Sequence, residues 1–584
     1  MKSTPSLLYL WPYLKRYRGK LLAGSCMVVL TVAAGMLAPW VLKYVVDDLR
    51  AAFAPEKLPY YAAAIVGIAL VEGFFRFLMR RILIGMSREI EYDLRNDFFA
   101  HLQRLSLSYL QGRSTGDLMS RSSSDLAAVR SVLGPGLMYS MNAAATAVAA
   151  TAILLRLNWK LTLLAYIPLV LASIAVKQLG GRIHDRFEEI QAQFAHLTEK
   201  VQENIAGIRV IQAFAREEAE IRNFHALNQE YVRRNIRLIR LWGIFYPLMS
   251  ALIGLSSVAL LWYGGRAVVR GTLTLGEFVA FLGYLSLLTW PTIAVGWVIN
   301  IFQRGSASME RMLEILRVPP QIGDDTAPEM PESVRGAVDV RTLSFRYDRS
   351  PRPVLQDVSF SLPAGETLAI VGRTGSGKST LVNLIPRLFD PPPGTVFVDG
   401  IDVRRWPLGE LRRRIGFVPQ EAFLFSDTVF ANLAFGLPEG APAETVERAA
   451  ETAHLAAEIA AFPRRYQTLV GERGITLSGG QKQRAAIARA LALEPQILIL
   501  DDSFSSVDTY TEERVLRNLL EATRGRTTIL VSHRISTVKH ARQILVLENG
   551  RVVERGDHAS LMALGGVYAD LYRKQLLEEE LATA

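Results

Sequence analysis

Long apolar windows constrain the fold of this 584-residue chain more than any other feature of its sequence. Each window is free or nearly free of charged residues, and most reach the roughly 20 residues that a helix needs to cross about 30 Å of hydrocarbon. A helix is the only open-chain structure that satisfies its own backbone hydrogen bonds there. We therefore predict six transmembrane helices, the fourth of them short, at residues 21–42, 59–79, 131–155, 161–176, 241–265 and 278–303.

The charges between these windows predict an orientation. Lys and Arg are concentrated in the N-terminal segment and in the loops at residues 80–130 and 177–240. Positive loops stay in the cytoplasm, so we expect a multi-pass protein of the cytoplasmic (inner) membrane with both termini cytoplasmic. The two long loops alternate charged and apolar residues, which predicts helices that continue beyond the bilayer. Gly116 and Gly207 interrupt them, and turns there would present short helices to a cytoplasmic partner.

Composition supports a membrane protein over a soluble enzyme. Half of the residues are hydrophobic, and the mean hydropathy is +0.19. The net charge of +10 is compatible with nucleic acid binding, but loops rich in Lys and Arg beside a membrane explain it better, and we expect no nucleic acid partner. Cys26 is the single cysteine, which excludes a disulfide or a Cys-based metal site within one chain.

The second half of the chain has a different pattern. Several prolines between residues 318 and 335 rule out one continuous helix and indicate a linker. Alternating strands and helices follow, with apolar strand segments at residues 338–347, 367–372, 395–400, 497–501, 527–533 and 543–550. We predict a transmembrane domain at residues 1–317, a linker at 318–335 and a soluble α/β domain at 336–584.

A glycine-rich loop follows the apolar strand at residues 368–371 and precedes a helical segment. Backbone N–H groups of such a loop surround phosphate oxygens, Lys378 would reach the β- and γ-phosphates, and the Ser379 hydroxyl would bind Mg²⁺. The strand before and the helix after are the context that this motif requires. The predicted nucleotide-binding residues here are Gly372, Arg373, Thr374, Gly375, Ser376, Gly377, Lys378, Ser379 and Thr380.

Two further segments complete this chemistry. Asp501 ends the apolar strand at residues 497–500, where a carboxylate can hold Mg²⁺. The segment LSGGQ at residues 477–481 opens a helix, whose N-terminal N–H groups can bind an anion. Together with the glycine loop, these segments indicate a nucleotide-driven machine.

On these motifs the chain resembles half of an ATP-binding cassette (ABC) transporter of the exporter type, because LSGGQ is peculiar to that family. The resemblance implies an α-helical membrane domain with six transmembrane helices and long cytoplasmic extensions, followed by an α/β ABC-type P-loop ATPase domain. It implies that Tyr347 stacks on adenine and that His533 contacts the γ-phosphate. Gln420 would bind the metal and link it to the membrane domain, and residues 505–508 would join two cassettes.

The resemblance also implies a dimer with ATP and Mg²⁺ as cofactors. Two cassettes of this family enclose ATP between them, so one chain supplies the LSGGQ segment to the site of the other. The residues that would bind the partner's γ-phosphate are Ser478, Gly479, Gly480 and Gln481.

Asp502 departs from the family pattern, in which a catalytic Glu that orients the attacking water follows the metal-binding Asp. Asp is one methylene shorter, and a displacement of about 1 Å can cost on the order of 100-fold in rate. This chain therefore resembles the degenerate-site subunit of heterodimeric bacterial multidrug exporters, and its own site would hydrolyse ATP weakly. The alternative is a homodimer in which Asp502 acts through a bridging water.

The expected function is ATP-driven export of hydrophobic or amphipathic compounds such as drugs, lipids or peptides. An importer on the same scaffold stays open, whereas the membrane spans disfavour a soluble ABC protein that acts on DNA or ribosomes. Glu72 and Arg76 in the second window fit an i,i+4 ion pair better than a cargo contact. Trp290, Pro291 and Trp297, with Tyr246 and Pro247, either line an amphipathic cavity or serve as interfacial anchors and kinks in packed helices.

Overall fold

The computed structural model of the chain describes residues 6–51, 55–324, 328–348, 350–471, 477–504 and 509–583. It divides into two compact units. The first consists of Met1–Gln103 and Thr115–Val318, and the second of Arg104–Ser114 and Pro319–Ala584. A short segment between two helices of the first unit is thus part of the second.

Every regular element among the described residues up to 318 is helical. Short 3₁₀ turns lie at Ser6–Leu10 and Pro55–Lys57, and π-helical turns at Arg121–Asp125, Val132–Gly136 and Leu260–Gly264. The α-helices are α1 (Trp11–Arg16), α2 (Arg18–Ala51), α3 (Leu58–Arg104), α4 (Leu107–Gln111), α5 (Thr115–Ser120), α6 (Leu126–Ser131), α7 (Leu137–Ala206), α8 (Ile208–Ala213), α9 (Glu217–Ala259), α10 (Gly265–Val269) and α11 (Leu275–Leu316).

Five helical stretches among the described residues are long and apolar enough to cross a membrane. They are Arg18–Arg50, Leu58–Arg104, Thr115–Pro168, Glu217–Val269 and Leu275–Leu316. The third predicted window runs from the end of α6 through the π-helical turn at Val132–Gly136 into α7, and the fourth lies wholly in α7, which breaks between them at Asn158 (φ −160°, ψ 103°). The Asn158 side chain accepts a hydrogen bond from the Leu161 N–H at 3.0 Å and so caps the helix that follows. The count of six spans stays a prediction, with these two windows separated at Asn158.

The helices continue far beyond the apolar windows, as predicted for the two long loops. Gly207 ends α7, and the short helix α8 follows it directly, which confirms the turn predicted there. The turn predicted at Gly116 is wrong, because Gly116 is the second residue of α5. The first short helix is instead α4, which ends at Gly112 and packs on the core of the second unit through Leu107. A single glycine is tolerated in a helix at modest cost, so its position alone did not locate the turn.

The first unit is packed most closely around α11. Phe281 and Tyr284 of this helix are fully buried against residues of α2 and α7. At its N-terminal end, Gly276 lies so close to α2 that an added Cβ would be 2.1 Å from the Lys43 carbonyl oxygen. Among the candidate spans, 39% of the α11 window is buried inside the chain but only 6% of the α3 window. The membrane part of α3 therefore leaves most of its apolar surface uncovered by its own chain.

The predicted pairing of Glu72 with Arg76 is confirmed, since the two side chains form an i,i+4 ion pair on α3. Trp290 and Trp297 of α11 both contact the ring of Tyr139, with ring centroids 6.4 and 4.9 Å apart. Tyr246 stacks on the neighbouring Trp242 of α9. These aromatic side chains pack on other helix residues.

The second unit contains two sheets with helices between and around them. Its strands are β1 (Val338–Phe345), β2 (Leu355–Leu362), β3 (Thr367–Val371), β4 (Val396–Val398), β5 (Ile401–Asp402), β6 (Ile415–Val418), β7 (Ile497–Asp501), β8 (Thr527–Val531), β9 (Gln543–Glu548) and β10 (Arg551–Gly556). Its helices after α4 are α12 (Lys378–Leu384), α13 (Leu408–Arg413), α14 (Val429–Leu433), α15 (Ala443–Thr452), α16 (Ala456–Ala461), α17 (Gly479–Ala492), α18 (Thr509–Ala522), α19 (Ile535–Val538), α20 (His558–Leu564) and α21 (Val567–Thr583). A 3₁₀ turn lies at Arg465–Gln467.

The six-stranded sheet, in the order β10-β9-β3-β8-β7-β6, positions the candidate site. Strands β3, β8, β7 and β6 are parallel neighbours. β7 and β8 are buried along their whole length, as expected for parallel strands covered on both faces. Their carboxyl ends share one edge, where ligands of open α/β sheets bind. The smaller sheet, β2-β1-β4-β5, is antiparallel.

Candidate functional site: an ATP site at the strand ends

The glycine loop joins β3 to α12, as predicted. Gly377 begins the helix in a left-handed conformation (φ +101°) that favours glycine. Gly372 has φ +149°, and an added Cβ would lie 2.2 Å from the Leu547 carbonyl oxygen. The loop is therefore held close to β9, and its shape depends on these two glycines.

Lys378 lies across this loop. Its ammonium group donates hydrogen bonds to the carbonyl oxygens of Gly372 at 2.8 Å and Arg373 at 3.0 Å. The residue is only 5% exposed, and burial lowers the pKa of its amine. The Ser376 hydroxyl is buried in the same loop without a hydrogen-bond partner among the described residues. A polar group left unsatisfied in this way costs free energy unless a ligand pairs with it, so the loop is suited to binding phosphate.

Ser379 and Asp501 meet at the edge of the sheet. The Ser379 hydroxyl donates a 3.0 Å hydrogen bond to Asp501 Oδ1, as expected of two groups that share one Mg²⁺. Asp501 is 3% exposed, and burial raises the pKa of its carboxyl, with a further contribution from the nearby Asp502. A buried carboxylate beside a hydroxyl offers the hard oxygen ligands that Mg²⁺ prefers. The residues fit this ion, whose charge would stabilise the ionised carboxylate and the phosphates.

Gln420, the third predicted metal ligand, lies two residues beyond β6. Because β6 is the sheet neighbour of β7, Gln420 emerges at the same edge as Asp501. Its side chain is exposed, and within the described residues it makes no hydrogen bond to Ser379 or Asp501. The structure thus brings Ser379 and Asp501 into contact and leaves Gln420 near them on the neighbouring strand end.

Asp502 and His533 face each other from the ends of β7 and β8. The His533 Nε2 atom lies 3.9 Å from Asp502 Oδ2. Asp502 has a left-handed backbone (φ +47°), and its N–H donates to the Val531 carbonyl at 2.9 Å. Burial lowers the pKa of the His533 imidazole and nearby Lys378 lowers it further, whereas Asp502 opposes this shift. The pair therefore lies beside the phosphate loop. The family resemblance predicts that Asp502 occupies the position of the catalytic carboxylate there and that His533 contacts the γ-phosphate.

Tyr347 is fixed against the first turn of α12. Its hydroxyl donates to Thr380 Oγ1 at 3.0 Å, and its ring packs edge-on against Phe345 and Phe389. It also lines a cavity of about 390 Å³ together with Gln321. An aromatic ring held beside a cavity and next to the phosphate loop is suited to stacking on a nucleotide base.

The LSGGQ segment begins α17 with a capping box. The Ser478 hydroxyl accepts a hydrogen bond from the Gln481 N–H at 3.2 Å, and the Gln481 side chain accepts one from the Ser478 N–H at 2.9 Å. The Gln481 amide also donates to Glu458 at 2.7 Å. Gly479 and Gly480 form the first turn. None of these four residues hydrogen-bonds to the glycine loop of the same chain, as far as the structure describes it. Residues 505–508, expected to join two cassettes, lie outside the described residues.

Sequence reasoning missed two charged residues behind this site. The guanidinium of Arg534, directly after His533, forms an ion pair with the buried carboxylate of Glu512 on α18. The only available signal was an acidic residue on the apolar side of an amphipathic helix, which does not identify its partner. No sequence pattern predicted that Glu512 faces the end of β8.

Comparisons with known proteins found matching families, similar relatives and a similar solved structure. Residues 21–292 match the family described as ABC transporter transmembrane region, and residues 355–505 match the one described as ABC transporter. The chain is 37% identical over 548 residues to the probable multidrug resistance ABC transporter ATP-binding/permease protein YheI of Bacillus subtilis, covering 93% of each chain. It is 36% identical over 591 residues to the ATP-dependent lipid A-core flippase of Aromatoleum aromaticum, covering 98% of this chain and 96% of that protein. A solved bacterial Atm1-family ABC exporter with ATP bound is similar with a TM-score of 0.78 and 28% identity, covering 96% of this chain and 99% of the other.

Proposed function

Because this chain belongs to the ABC transporter family, as an exporter-type half with a multi-pass membrane domain fused to one cytoplasmic ATPase domain, we propose that it is the weakly hydrolysing subunit of a heterodimer that exports hydrophobic or amphipathic compounds. ATP hydrolysis coupled to transport is the activity of the family. The proposal concerns the site residues, the partner and the cargo.

The observation that carries the ATP-site proposal is the contact between Ser379 and Asp501 at the glycine loop. It joins the two groups that would hold Mg²⁺, with the buried amine of Lys378 beside them. In this arrangement Lys378 would exchange its carbonyl partners for phosphate oxygens. Tyr347 would hold the adenine, and Gln420 would complete the metal site.

Two exposed apolar surfaces support assembly with a second half-transporter. The membrane part of α3 is almost uncovered by its own chain. On α8, Ile208 is 45% and Val210 61% exposed, and Phe214, directly after the helix, is 74% exposed. A short cytoplasmic helix with exposed apolar side chains is unfavourable in water, so we infer that α8 docks on the partner's ATPase domain.

The heterodimer proposal depends on Asp502. A carboxylate one methylene short, held beside His533, would orient the attacking water less well than Glu. The LSGGQ segment, in contrast, is intact, and its helix N-terminus would bind the γ-phosphate at the partner's site. Within this proposal the chain supplies an intact LSGGQ segment to the partner's hydrolysing site, whereas its own site, which contains Asp502, hydrolyses ATP weakly.

The cargo proposal is supported by a cavity of about 420 Å³ among the membrane helices. None of the described residues that line it is charged, and the hydroxyls of Ser140 and Thr292 donate to the backbone carbonyls of Gly136 and Leu288, one turn earlier. Its lining residues are Ser140, Ala143, Ala144, Ala147, Tyr166, Leu288, Pro291, Thr292, Val295, Val298 and Ile299. Such a site favours uncharged apolar groups.

Native mass measurement of the complex purified from its own membrane tests the partner. We expect a second half-transporter with Glu at the position matching Asp502 and an altered LSGGQ segment. A homodimer that hydrolyses ATP and transports at full rate alone would overturn the heterodimer. ATP-dependent uptake into inside-out vesicles tests direction, because an exporter fills them and an importer does not.

A further inference from the structure

The segment that carries His533 is held from behind by residues of two other helices. Arg534 forms an ion pair with Glu512 of α18, whose side chain is only 4% exposed. The Arg534 N–H also donates to the Ser532 hydroxyl at 2.9 Å. On the other side, the Ile535 N–H donates to the Gln575 side chain of α21 at 2.6 Å. The backbone on either side of His533 thus has fixed partners.

His533 itself is much less enclosed than these supports. Its side chain is 40% exposed, and its nearest charged partner is Asp502 at 3.9 Å. An imidazole with few contacts of its own takes its orientation from the backbone that carries it. The ion pair next to it is the strongest of these supports, because a buried charge that loses its partner is costly.

We propose that Glu512 is a positioning residue that acts through Arg534 to hold His533 toward the γ-phosphate of ATP bound to this chain. The inference rests on the proposed contact of His533 with that phosphate. Glu512 touches neither nucleotide nor metal in this arrangement.

The consequence is a selectivity for ATP over ADP that depends on Glu512. ADP lacks the γ-phosphate, so weakening the position of His533 should reduce ATP affinity and leave ADP affinity unchanged. A loss of one charge-assisted hydrogen bond corresponds to roughly tenfold in affinity. A general loss of stability would instead weaken both nucleotides together.

The test uses the intact transporter, with its partner chain, and a photoreactive ATP analogue crosslinked to this chain in the cold with Mg²⁺. Competition by ATP and by ADP then gives the selectivity at this chain's own site. We expect Glu512→Gln and Arg534→Met each to lower the ratio of ATP affinity to ADP affinity roughly tenfold. Competition by ADP should stay unchanged. Glu513→Gln is the matched control, because Glu513 is the next residue on α18 and is 77% exposed.

His533→Ala separates the two levels of the inference. If His533→Ala lowers the ratio and Glu512→Gln adds no further loss in that background, the positioning role is supported. If His533→Ala lowers the ratio but Glu512→Gln and Arg534→Met do not, the positioning role is wrong. If His533→Ala itself leaves the ratio unchanged, the proposed phosphate contact fails. Should Glu512→Gln misfold, Arg534→Met and the paired Glu512→Met/Arg534→Met variant, which removes both charges of the ion pair, decide the matter.

Discussion

The imidazole of His533 lies 3.9 Å from the carboxylate of Asp502, although the two residues belong to different strand ends. The contact arises because β7 and β8 are parallel neighbours, with Asp501 paired to Val531 at their last residues. Asp502 follows β7 directly and His533 is the second residue after β8, so both emerge at the same edge of the sheet. Asp502 therefore lies beside His533, where the proposed shortening of the catalytic carboxylate would affect its reach.

Asp502→Glu should accelerate hydrolysis at this chain's site, by up to about 100-fold, because the added methylene restores the reach of the carboxylate. Single-turnover hydrolysis by the purified complex measures it. Asp502→Asn is the control, and it should change total turnover little when the partner's site carries the activity. If Asp502→Asn abolishes hydrolysis and Asp502→Glu changes nothing, Asp502 is a working base.

Asp501→Asn should raise the stability of the nucleotide-free protein at neutral pH and abolish Mg²⁺-dependent ATP hydrolysis at this chain's own site. Burial raises the pKa of the Asp501 carboxyl in the folded state, so the protonated carboxyl is compatible with folding and the ionised one destabilises the fold. The free energy of unfolding therefore falls as pH rises through the folded pKa. The gain from Asn should therefore vanish at acid pH. Thermal unfolding of wild type and variant across pH measures it, and equal stability at every pH would contradict it.

Ser478→Asp should leave α17 intact but reduce ATP turnover of the complex by about 100-fold or more. Asp caps a helix as well as Ser, so the bond to the Gln481 N–H is kept. Its charge would face the partner-bound γ-phosphate, and like charges at an interface cost several kcal/mol. Ser478→Thr, which keeps cap and hydroxyl, is the control. Unchanged turnover in Ser478→Asp would show that this helix end does not meet a phosphate.

Val210→Asp on α8 should prevent productive docking of the partner and reduce transport about tenfold or more, because burying an unpaired carboxylate in an apolar interface costs several kcal/mol. Ile221→Asp on α9 is a matched control, because the two residues are 61% and 62% exposed. Vesicle transport and co-purification of the partner measure the effect. Equal behaviour of the two variants would remove α8 from the interface.

Ala147→Phe should fill part of the apolar membrane cavity and lower transport of bulky apolar cargo several-fold, with basal ATP hydrolysis kept. Val148→Phe is the neighbouring control, since Val148 is 71% exposed and does not line the cavity. Transport assays with a size series of uncharged compounds measure the change. If both variants transport all compounds equally, cargo does not use this cavity.

Much of the fold follows from local pattern. The strands expected around residues 367–372, 497–501 and 527–533 are β3, β7 and β8, because fully buried parallel strands are continuous apolar runs. Strands β2, β5, β6 and β10 were not predicted. β10 is half exposed and largely polar, and β6 has only four residues including Gly416, so neither has a distinct sequence pattern.

Some parts of the candidate site were predicted from the sequence and others were not, because only some of them depend on consecutive residues. The glycine loop and LSGGQ are contiguous segments whose chemistry depends on consecutive residues, so they can be recognised in the sequence. The Glu512–Arg534 pair and the position of the turn before α5 depend on which surfaces meet. Charge and glycine content alone do not identify those surfaces.

The sequence by itself determined the membrane windows, the phosphate loop, Asp501 as the proposed metal ligand and the departure at Asp502, because each depends on residues adjacent in the chain. Only the tertiary structure decided that Ser379 contacts Asp501 and that His533 faces Asp502. Parallel pairing of β3, β8 and β7 brings their carboxyl ends together, and burial at that edge shifts the pKa of Asp501, Lys378 and His533. These shifts depend on distance and exclusion of water, which exist only once the sheet has formed.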